Sequence, residues 1–588
     1  MNNRISLKLI PDSSFLLGGV SADPAYDSIT ALDDNLPFLT ATAIKGAIRM
    51  EFEAFVRGIG ELTLCELDTD FRGCGKDECI SCKLFGGGDK EGKLRFNSAF
   101  IKDRENLFPE KDKKVRKDIL EKGRREGVSI SRTLGKAKEQ SYYSAIAFPN
   151  MKDVLTLLFE THIDIQERLE DNEYKYLDMF FSFLDRTGIF MGSRKSVGLG
   201  NFKIEYDIPS HFEPTAPIDT TKKELKLFRV KLKTHEPLVV GNLKNQYIID
   251  TLPYIPASTM GGSIGFGFIK NGIPEDIVRE LFIDKNTFSP FNFYLETPYP
   301  KPTSMRRKKG DEKTVQDTLL VDYIVKRAID KGKFQEVEKL FKILYRENLR
   351  PVPICEQPAT YYNTKVAIGR SLQKTKEQML YRMELIEKGT VFQGLVIGEA
   401  WTKEALEKIK FLFIGGKRTR GFGRTEILKV EEVGKDELLN PNPDISIDTQ
   451  LRTIAREYSI DIPKDRSFFA LDLLADIGIG NGIPKGERTF EFFLEKQLFN
   501  GIELEVKKSF PVIIWRGGYG GVNTEEKMEK PLMEKISAGS TFLVSVPFTR
   551  EKDFKEKVAQ LIEESIHYKW DSTPLFRLNN PDHLEIWR

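Results

Sequence analysis

Cysteine is scarce and unevenly spread: the 588 residues include five, and four of them fall between positions 65 and 82. That crowding speaks against a disulfide framework and for a metal site in a reducing compartment. Histidine is as scarce, and His162, His211, His235, His567 and His583 form no spaced pair and flank no nucleophile elbow, so each reads as an ordinary surface or core residue. Long apolar runs are missing, since none approaches the roughly 18 residues that a membrane span needs. The first ten residues alternate like a strand and lack the apolar core of a secretory leader, so a cytoplasmic protein without membrane contacts is expected. Excess charge is also absent: 90 Lys plus Arg against 88 Asp plus Glu leave +2. A nucleic-acid role must therefore rest on local clusters. The GxxxxGK[ST] spacing of a phosphate-binding P-loop is absent as well.

What the chain does contain is a repeat. MGSRKSVGLG at 191–200 returns as IGGKRTRGFG at 414–423, and each copy runs on into a strand-like stretch, 202–206 and 425–430. Glycines turn the backbone at positive φ and expose amides, and the adjoining cations add charge, a combination that suits a phosphate chain; a basic turn is the plainer alternative. Upstream, PFLTATAIKGAIR at 37–49 returns as PYIPASTMGGSI at 253–264. Gly46 and Gly262 lie 216 positions apart, and Gly192 and Gly415 lie 223 apart. Two matched pairs in the same order mark homologous units.

Each unit reads as mixed α+β. Residues 6–10 alternate as a strand, and Ile44, Ile48, Phe52 and Phe55 recur at helical spacing behind Thr40 or Thr42 as the cap. A strand at 154–165 and an amphipathic helix at 174–184 lead into the first glycine loop. The charged stretch 102–126 reads as a solvated, mobile insertion. A first domain at 1–212, a linker at 213–224 and a second domain at 225–435 follow, the last opening with a strand at 225–232 and carrying a cationic loop, Met305 to Lys309, and a helix at 314–331. A further linker at 436–466 then precedes a third domain at 467–588, with a strand at 542–546.

Cys65, Cys74, Cys79 and Cys82 have the spacing C-x8-C-x4-C-x2-C. Four thiolates on a glycine-containing loop can converge on tetrahedral Zn2+, and a full set of protein ligands leaves no open position, so the expected role is structural. The alternatives are a free-thiol loop or a redox pair. Cys355 stands alone and reads as packing. Between Ser21 and Asp34 the chain concentrates four carboxylates just before the first helix, which by itself describes a solvated acidic loop. Tyr142, Tyr143, Phe422, Trp515 and Tyr519 stand near cations, where base stacking competes with core packing as their role.

In their order, these motifs resemble the RAMP superfamily of CRISPR effector proteins. The first unit, with its acidic loop, Leu36-Pro37 to Arg49, the cysteine run ending Leu84-Phe85-Gly86, Ser129 to Arg132 and the Gly192 loop, looks like the backbone (Cas-seven, Csm-three-like) subunit of type III complexes. From about Leu225 onward the chain is similar to the Cas-five-like, Csx-ten type subunit of type III-D systems, through Tyr254-Ile255-Pro256-Ala257-Ser258, Leu380-Tyr381, Phe392-Gln393-Gly394, Gly415 to Gly423 and Ala538-Gly539-Ser540. Thr40-Ala41 stands where that family has Pro-Gly.

The resemblance implies tandem ferredoxin-like (RRM-like) domains with a zinc-knuckle insertion. It also implies a guide-RNA-binding subunit that holds the 5′ handle and cuts paired target RNA with Mg2+ or Mn2+. Alignment places Asp27 at the cutting position, with Asp23 next. RNA contact would fall to Lys45, Arg49, Arg132, Gly192, Arg194, Lys195, Gly198 and Gly200, and in the second loop to Gly415, Gly416, Lys417, Arg418, Arg420, Gly421 and Gly423. Implied partners are guide RNA, target RNA, a large polymerase-like subunit, further backbone subunits and a small subunit. The rival functions are a metal-independent guide-processing RAMP endoribonuclease and a non-catalytic scaffold.

Overall fold

A computed structural model describes residues 4–19, 28–33, 36–60, 63–65, 74, 76, 78–87, 91–108, 123–131, 133, 136–149, 157–209, 218–244, 248–285, 287–310, 315–346, 349–368, 375–439, 446–478, 489–516, 522–523, 528–529, 533–567 and 575–584. Asp23, Asp27 and Arg132 lie outside the described residues, as do Tyr519 and the side chains of Tyr143 and Trp515.

The first unit is a βαββαβ fold. Strand β1 (Arg4–Pro11) alternates buried Ile5, Leu7 and Leu9 with outward Ser6 and Lys8, the period of two that one covered sheet face requires. It sits centrally in the sheet, antiparallel to both β3 (Phe159–Ile165) and β5 (Asn201–Asp207), with Leu7 opposite Thr161 on one side and Tyr206 on the other. Strand β2 (Leu94–Phe96) flanks β3, and β4 (Ile189–Phe190) flanks β5, so the order is β4-β5-β1-β3-β2. Two helices cover one face, α1 (Ala41–Ile59) and α2 (Asp171–Thr187). Ile44, Ile48, Phe52 and Val56 fall one turn apart along α1, and Phe52 meets Phe180 of α2 edge-on at 5.3 Å. Of the two threonines available as its cap, Thr40 takes the role, accepting the Ala43 amide, and Gly60 ends the helix at φ 76°. Helix α2 starts with a capping box between Glu170 and Glu173.

The second unit repeats this plan. Strand β6 (Leu225–Thr234) lies between β7 (Val391–Glu399) and β9 (Arg424–Glu432), with β8 (Phe411–Phe413) outside β9 and the short strand Ser289–Pro290 outside β7. Its helices are α3 (Ala257–Lys270) and α5 (Thr402–Ile409). Helix α4 (Leu319–Asp330) belongs to a segment inserted between the repeat's second and third strands. Two expectations fail there. The cationic loop is a strand, Met305–Lys308, and residues expected to start the helix instead form strand Val315–Asp317, paired to it. The cause is tertiary: Asp317 is fully buried and bonded to Ser304, which fixes a strand where local periodicity favoured helix.

A third sheet has the same order. Strand β10 (Arg466–Leu473) is central, between β12 (Thr541–Pro547) and β13 (Phe576–Leu578), with β11 (Glu505–Phe510) outside β12. Helix α7 (Glu551–His567) follows β12, and α6 (Ile447–Glu457) precedes β10 within 436–466, the stretch expected to be a linker. Leu451, Ile454 and Ala455 of α6 are buried, which makes it part of a core and not a tether. Leu227, Leu395 and Ile397 from one face of the second sheet share a core with Phe469, Leu471 and Phe542 of the third, while Phe228, Val230 and Leu232 point to the opposite face. Among the described residues no helix is long and apolar enough to cross a membrane.

Candidate nucleic-acid interface and metal centre

Both glycine loops join the last two strands of their units, β4 to β5 and β8 to β9. Their backbones match: Arg194 and Lys417 have φ 59° and 61°, Gly198 and Gly421 have 87° and 79°, and Gly200 and Gly423 have 80° and 79°. A side chain at Gly200 would put its Cβ 2.0 Å from the Met191 carbonyl oxygen, and at Gly423 the same distance from that of Ile414. These glycines therefore let the loop close on itself. The amides expected to face phosphate are largely engaged: Ser193 donates to Leu16, Gly198 to Lys195 and Gly200 to Ser14, while Gly416 donates to Val239, Arg420 to Lys417 and Gly423 to Pro237. These six amides are therefore not free to meet an anion.

Each unit also carries a four-stranded accessory sheet of identical layout. In the first, Gly18–Gly19 pairs with Ser28–Thr30, which runs parallel to Ala137–Ile146, itself in a hairpin with Arg124–Ile130. In the second the corresponding strands are Gly241–Lys244, Ile248–Thr251, Thr375–Ile386 and Thr360–Ile368. The acidic stretch 20–27 and residues 245–247 thus occupy equivalent connections, although both lie outside the described residues. Exposed aromatics stand on the hairpins: Tyr142 on one, and Tyr361 and Tyr362 on the other, with the Arg382 guanidinium 3.9 Å from the Tyr362 ring centroid. Tyr361 and Tyr362 stand on the strand equivalent to Arg124–Ile130, and Tyr142 on the other strand of its hairpin, so the two sets are not equivalent in position. Phe422 is core, packed with Val239, Met383 and Leu385.

The second loop does not lie open; it is docked on the first unit. A Cβ on Gly421 would come 2.2 Å from that of Ala41, the first residue of α1. Around this contact, Arg418 pairs with Glu91 at 2.8 Å, Lys270 with Glu167 at 2.8 Å, and Arg424 approaches the His162 imidazole at 3.5 Å. Arg95 is 1% exposed, lies 3.3 Å over the Phe413 ring, and has, among the described residues, no hydrogen-bond partner for any guanidinium nitrogen. Burial lowers the Arg95 pKa, with Asp164 and Glu91 opposing. Burial, then the charges of Arg420 and Arg49, pull the Lys45 amine down to about 7. His162 is brought down to about 4 mainly by burial, against the opposing charge of Asp164. Lys45 and Arg420, separated by hundreds of positions, therefore share one cationic seam, whereas Lys417 and Arg420 keep an exposed side. Sequence reasoning missed Glu91, Arg95, His162, Asp164 and Arg424, because no spacing signals a contact between units.

The four cysteines converge. Their sulfurs all lie within 4.8 Å of one another, with Cys65 Sγ 3.4, 3.5 and 3.3 Å from those of Cys74, Cys79 and Cys82. A tetrahedral ion about 2.3 Å from each sulfur needs sulfurs about 3.8 Å apart, so the donor set fits such an ion with little adjustment. Burial disfavours the Cys65 thiolate, but the Cys74 amide and the neighbouring thiols outweigh it and lower its pKa to about 6. The knuckle is fastened to α1 around buried Glu53, which accepts from Ser81 Oγ at 2.5 Å and Arg49 Nε at 2.9 Å. Arg49 also donates to the Gly86 carbonyl at 2.8 Å, and its other nitrogen lies 4.0 Å from Cys82 Sγ. Arg49, expected on RNA, is thereby tied to the knuckle.

Three antiparallel sheets of ferredoxin-like order, two of them bearing a glycine-loop hairpin and an accessory sheet, define a tandem protein of repeated βαββαβ units. The RAMP superfamily description matches residues 18–203 and again 231–426, and the chain belongs to that superfamily. Comparison with curated proteins finds no match. Among solved structures, similarity is found to a chain of the type III-B Cmr-beta complex in its apo state, at 14% identity and TM-score 0.22 over 35% of this chain and 97% of that one. Another is from Cmr-beta bound to cognate target RNA and AMPPnP, at 15% identity and TM-score 0.27 over 57% and 89% of the two chains. A third, from Cmr-beta bound to cognate target RNA, gives 13% and 0.22 over 34% and 96%. Scores this low establish no common architecture.

Proposed function

We propose that the chain is a subunit of a type III CRISPR RNA-guided effector complex, with a backbone-like unit at 1–212 fused to a Csx-ten-like remainder at 225–435 and 467–588. The observation that carries this reading is the doubled unit, each copy with its glycine-loop hairpin and accessory sheet, in a chain of the RAMP superfamily. In this reading Arg194, Lys195, Lys417 and Arg420 contact guide RNA, including its 5′ handle, and the exposed hairpin tyrosines offer stacking faces. Zn2+ on the four cysteines has a structural role, holding the knuckle against α1. The remaining partners are target RNA, a large polymerase-like subunit, further backbone subunits and a small subunit.

Cutting is assigned to the first unit alone, because the acidic connection 20–27 contains Asp23 and Asp27 whereas its counterpart 245–247 reads Asn-Gln-Tyr. A carboxylate from Asp27, with Asp23 next in line, would hold Mg2+ or Mn2+, which when bound supplies positive charge beside the scissile phosphate. Asp27→Ala in the assembled complex is expected to abolish single-turnover target cleavage and leave guide RNA binding unchanged. Cleavage at the wild-type rate would reject Asp27, and cleavage that survives EDTA would favour a metal-independent processing nuclease. Of the histidines, His583 sits in a buried polar network, half-buried His162 lies beside Asp164, and His235 is bonded to Glu426.

Phosphate contact has its own signature. Lys417→Ala with Arg420→Ala should weaken binding to guide RNAs of unrelated sequence alike and flatten the salt dependence by about two units of log–log slope. An unchanged affinity and slope would return the loops to the status of basic turns.

A further inference from the structure

Helix α1 carries Arg49, Glu53 and Arg57 at successive intervals of four residues, which puts them in one stripe along its surface. The stripe is sunk under the knuckle, with side chains 16%, 6% and 33% exposed. Glu53 accepts Arg49 Nε at 2.9 Å and faces the Arg57 guanidinium at 4.0 Å, so two cations meet a single carboxylate and a surplus of positive charge remains. Each arginine then reaches past Glu53 to a different end of the cysteine run. Arg57 donates to the Cys65 carbonyl at 3.2 Å. Arg49 donates to the carbonyl of Gly86, which caps the short helix Ile80–Phe85 bearing Cys82, and its remaining nitrogen lies 4.0 Å from Cys82 Sγ. Glu53 itself accepts from Ser81, the neighbour of Cys82, at 2.5 Å. The first and the last of the four cysteines are thus held from points about 12 Å apart along one helix axis.

We infer that Arg49, Glu53 and Arg57 belong to the metal centre and set how tightly it holds zinc, although none of them touches the ion. Two effects act together. Ile44, Ile48, Phe52 and Val56 fix α1 to the core, so the helix holds Cys65 and Cys82 near their final places before an ion arrives, and less ordering is left for binding to accomplish. Four thiolates around a divalent ion also leave the site negatively charged, and the surplus positive charge of the stripe lies beside it, with an Arg49 nitrogen next to sulfur. Lysine could not replace Arg49 here, because only the guanidinium fork meets a carboxylate, a carbonyl and a thiol at once. The same geometry engages all three Arg49 nitrogens on α1 and the knuckle, which withdraws this arginine from RNA. The inference rests on the structural-zinc reading and goes beyond it by naming what determines the affinity.

The test is competition for zinc between the full chain and a chromophoric chelator. Arg49→Met should weaken zinc binding about tenfold or more, and Arg57→Met should act in the same direction. Loss of the N–H beside sulfur also leaves the thiolate electrons higher in energy, so in cobalt-substituted protein the thiolate-to-cobalt charge-transfer band should move to longer wavelength in Arg49→Met. Phe55→Ala is the control for a loosened helix, since Phe55 packs on Phe180 and Phe183 of α2, on the side of α1 away from Glu53. It should lower the thermal midpoint and leave both the zinc affinity and the cobalt band unchanged. A wild-type chain that takes up no zinc would remove the zinc reading itself, and this inference with it. Zinc held as tightly by both arginine variants as by wild type, or weakened as much by Phe55→Ala, would overturn the inference and leave the zinc reading in place. So would an Arg49→Met chain that keeps its zinc affinity but binds guide RNA with a shallower salt dependence, which would return Arg49 to phosphate.

Discussion

Cys79→Ser is expected to cost the protein its zinc and to release the knuckle from α1. Isolated zinc fingers owe about 10–16 kcal/mol of apparent folding energy to the metal. Here the first unit also has an extensive aromatic core outside the knuckle, Phe52, Phe96, Phe180 and Phe181 among it, that does not depend on the ion. The predicted loss is therefore local. Residues 63–86 should become protease-sensitive and the thermal midpoint should fall, while the sheet around β1 persists. The buried Glu53 would lose the order of its partner Ser81, and Arg49 that of Gly86 and Cys82, so Arg49→Ala should reproduce part of the same sensitivity. Wild-type protein purified without added metal should carry about one zinc per chain and Cys79→Ser well below that. A metal-free wild type that is folded and resists protease at the knuckle would refute the site.

His583→Ala should be the most damaging single change in the third unit. The imidazole is fully buried, 3.1 Å from Asp317 of the inserted segment and 3.0 Å from Asp472 of β10, with both carboxylates also buried. Asn580, Thr541 and Ser304 complete the network. Removing the cation leaves two carboxylates in the interior without their counter-charge, a loss on the order of 3–5 kcal/mol. Burial alone would lower the His583 pKa, but the charges of Asp472 and Asp317 outweigh it and raise the value to about 10.

A pKa raised on folding adds stability that is complete below the unfolded value near 6.5 and is lost as pH climbs through about 10. Asp472 is shifted the other way: burial raises it, yet His583 and the hydrogen bonds prevail and leave it lowered, so its contribution fades only as pH falls below the ordinary carboxylate range. The thermal midpoint of wild type relative to His583→Gln should therefore be highest between about pH 5 and 6.5 and decline steadily toward pH 10. A gap that does not change over that range would show the histidine to be neutral in the fold.

Much of the architecture was legible because it depends on local pattern. Ile5, Leu7 and Leu9 alternate, Ile44 to Val56 recur at helical spacing, and the glycine loops repeat at a fixed offset, so periodicity and duplication alone call for βα units in tandem. The cysteine site was readable for the same reason: its four ligands fall within eighteen positions, and thiolates that close together need only a loop to bring them to one ion. Helix α6 was missed in a charged, proline-flanked stretch because its stability comes from Leu451 and Ile454 packing on partners far away in sequence. Strand Val315–Asp317 was misread for a related reason, its state being set by Met305–Lys308 and by a buried bond to Ser304.

Composition and spacing thus determined the kind of unit, its duplication, which residues carry charge, and which cysteines cluster. Only the tertiary structure decided what those residues face. Arg418 meets Glu91, Gly421 meets Ala41, and His583 joins Asp317 to Asp472 across separations of 380, 327, 266 and 111 positions for Ala41, Glu91, Asp317 and Asp472 in turn. No periodicity encodes such pairs, because the chain entropy of closing a loop rises only with the logarithm of its length. The partner of a charged or small residue is therefore chosen by shape and charge in the folded protein, and that choice separates an open glycine loop in the first unit from a docked one in the second.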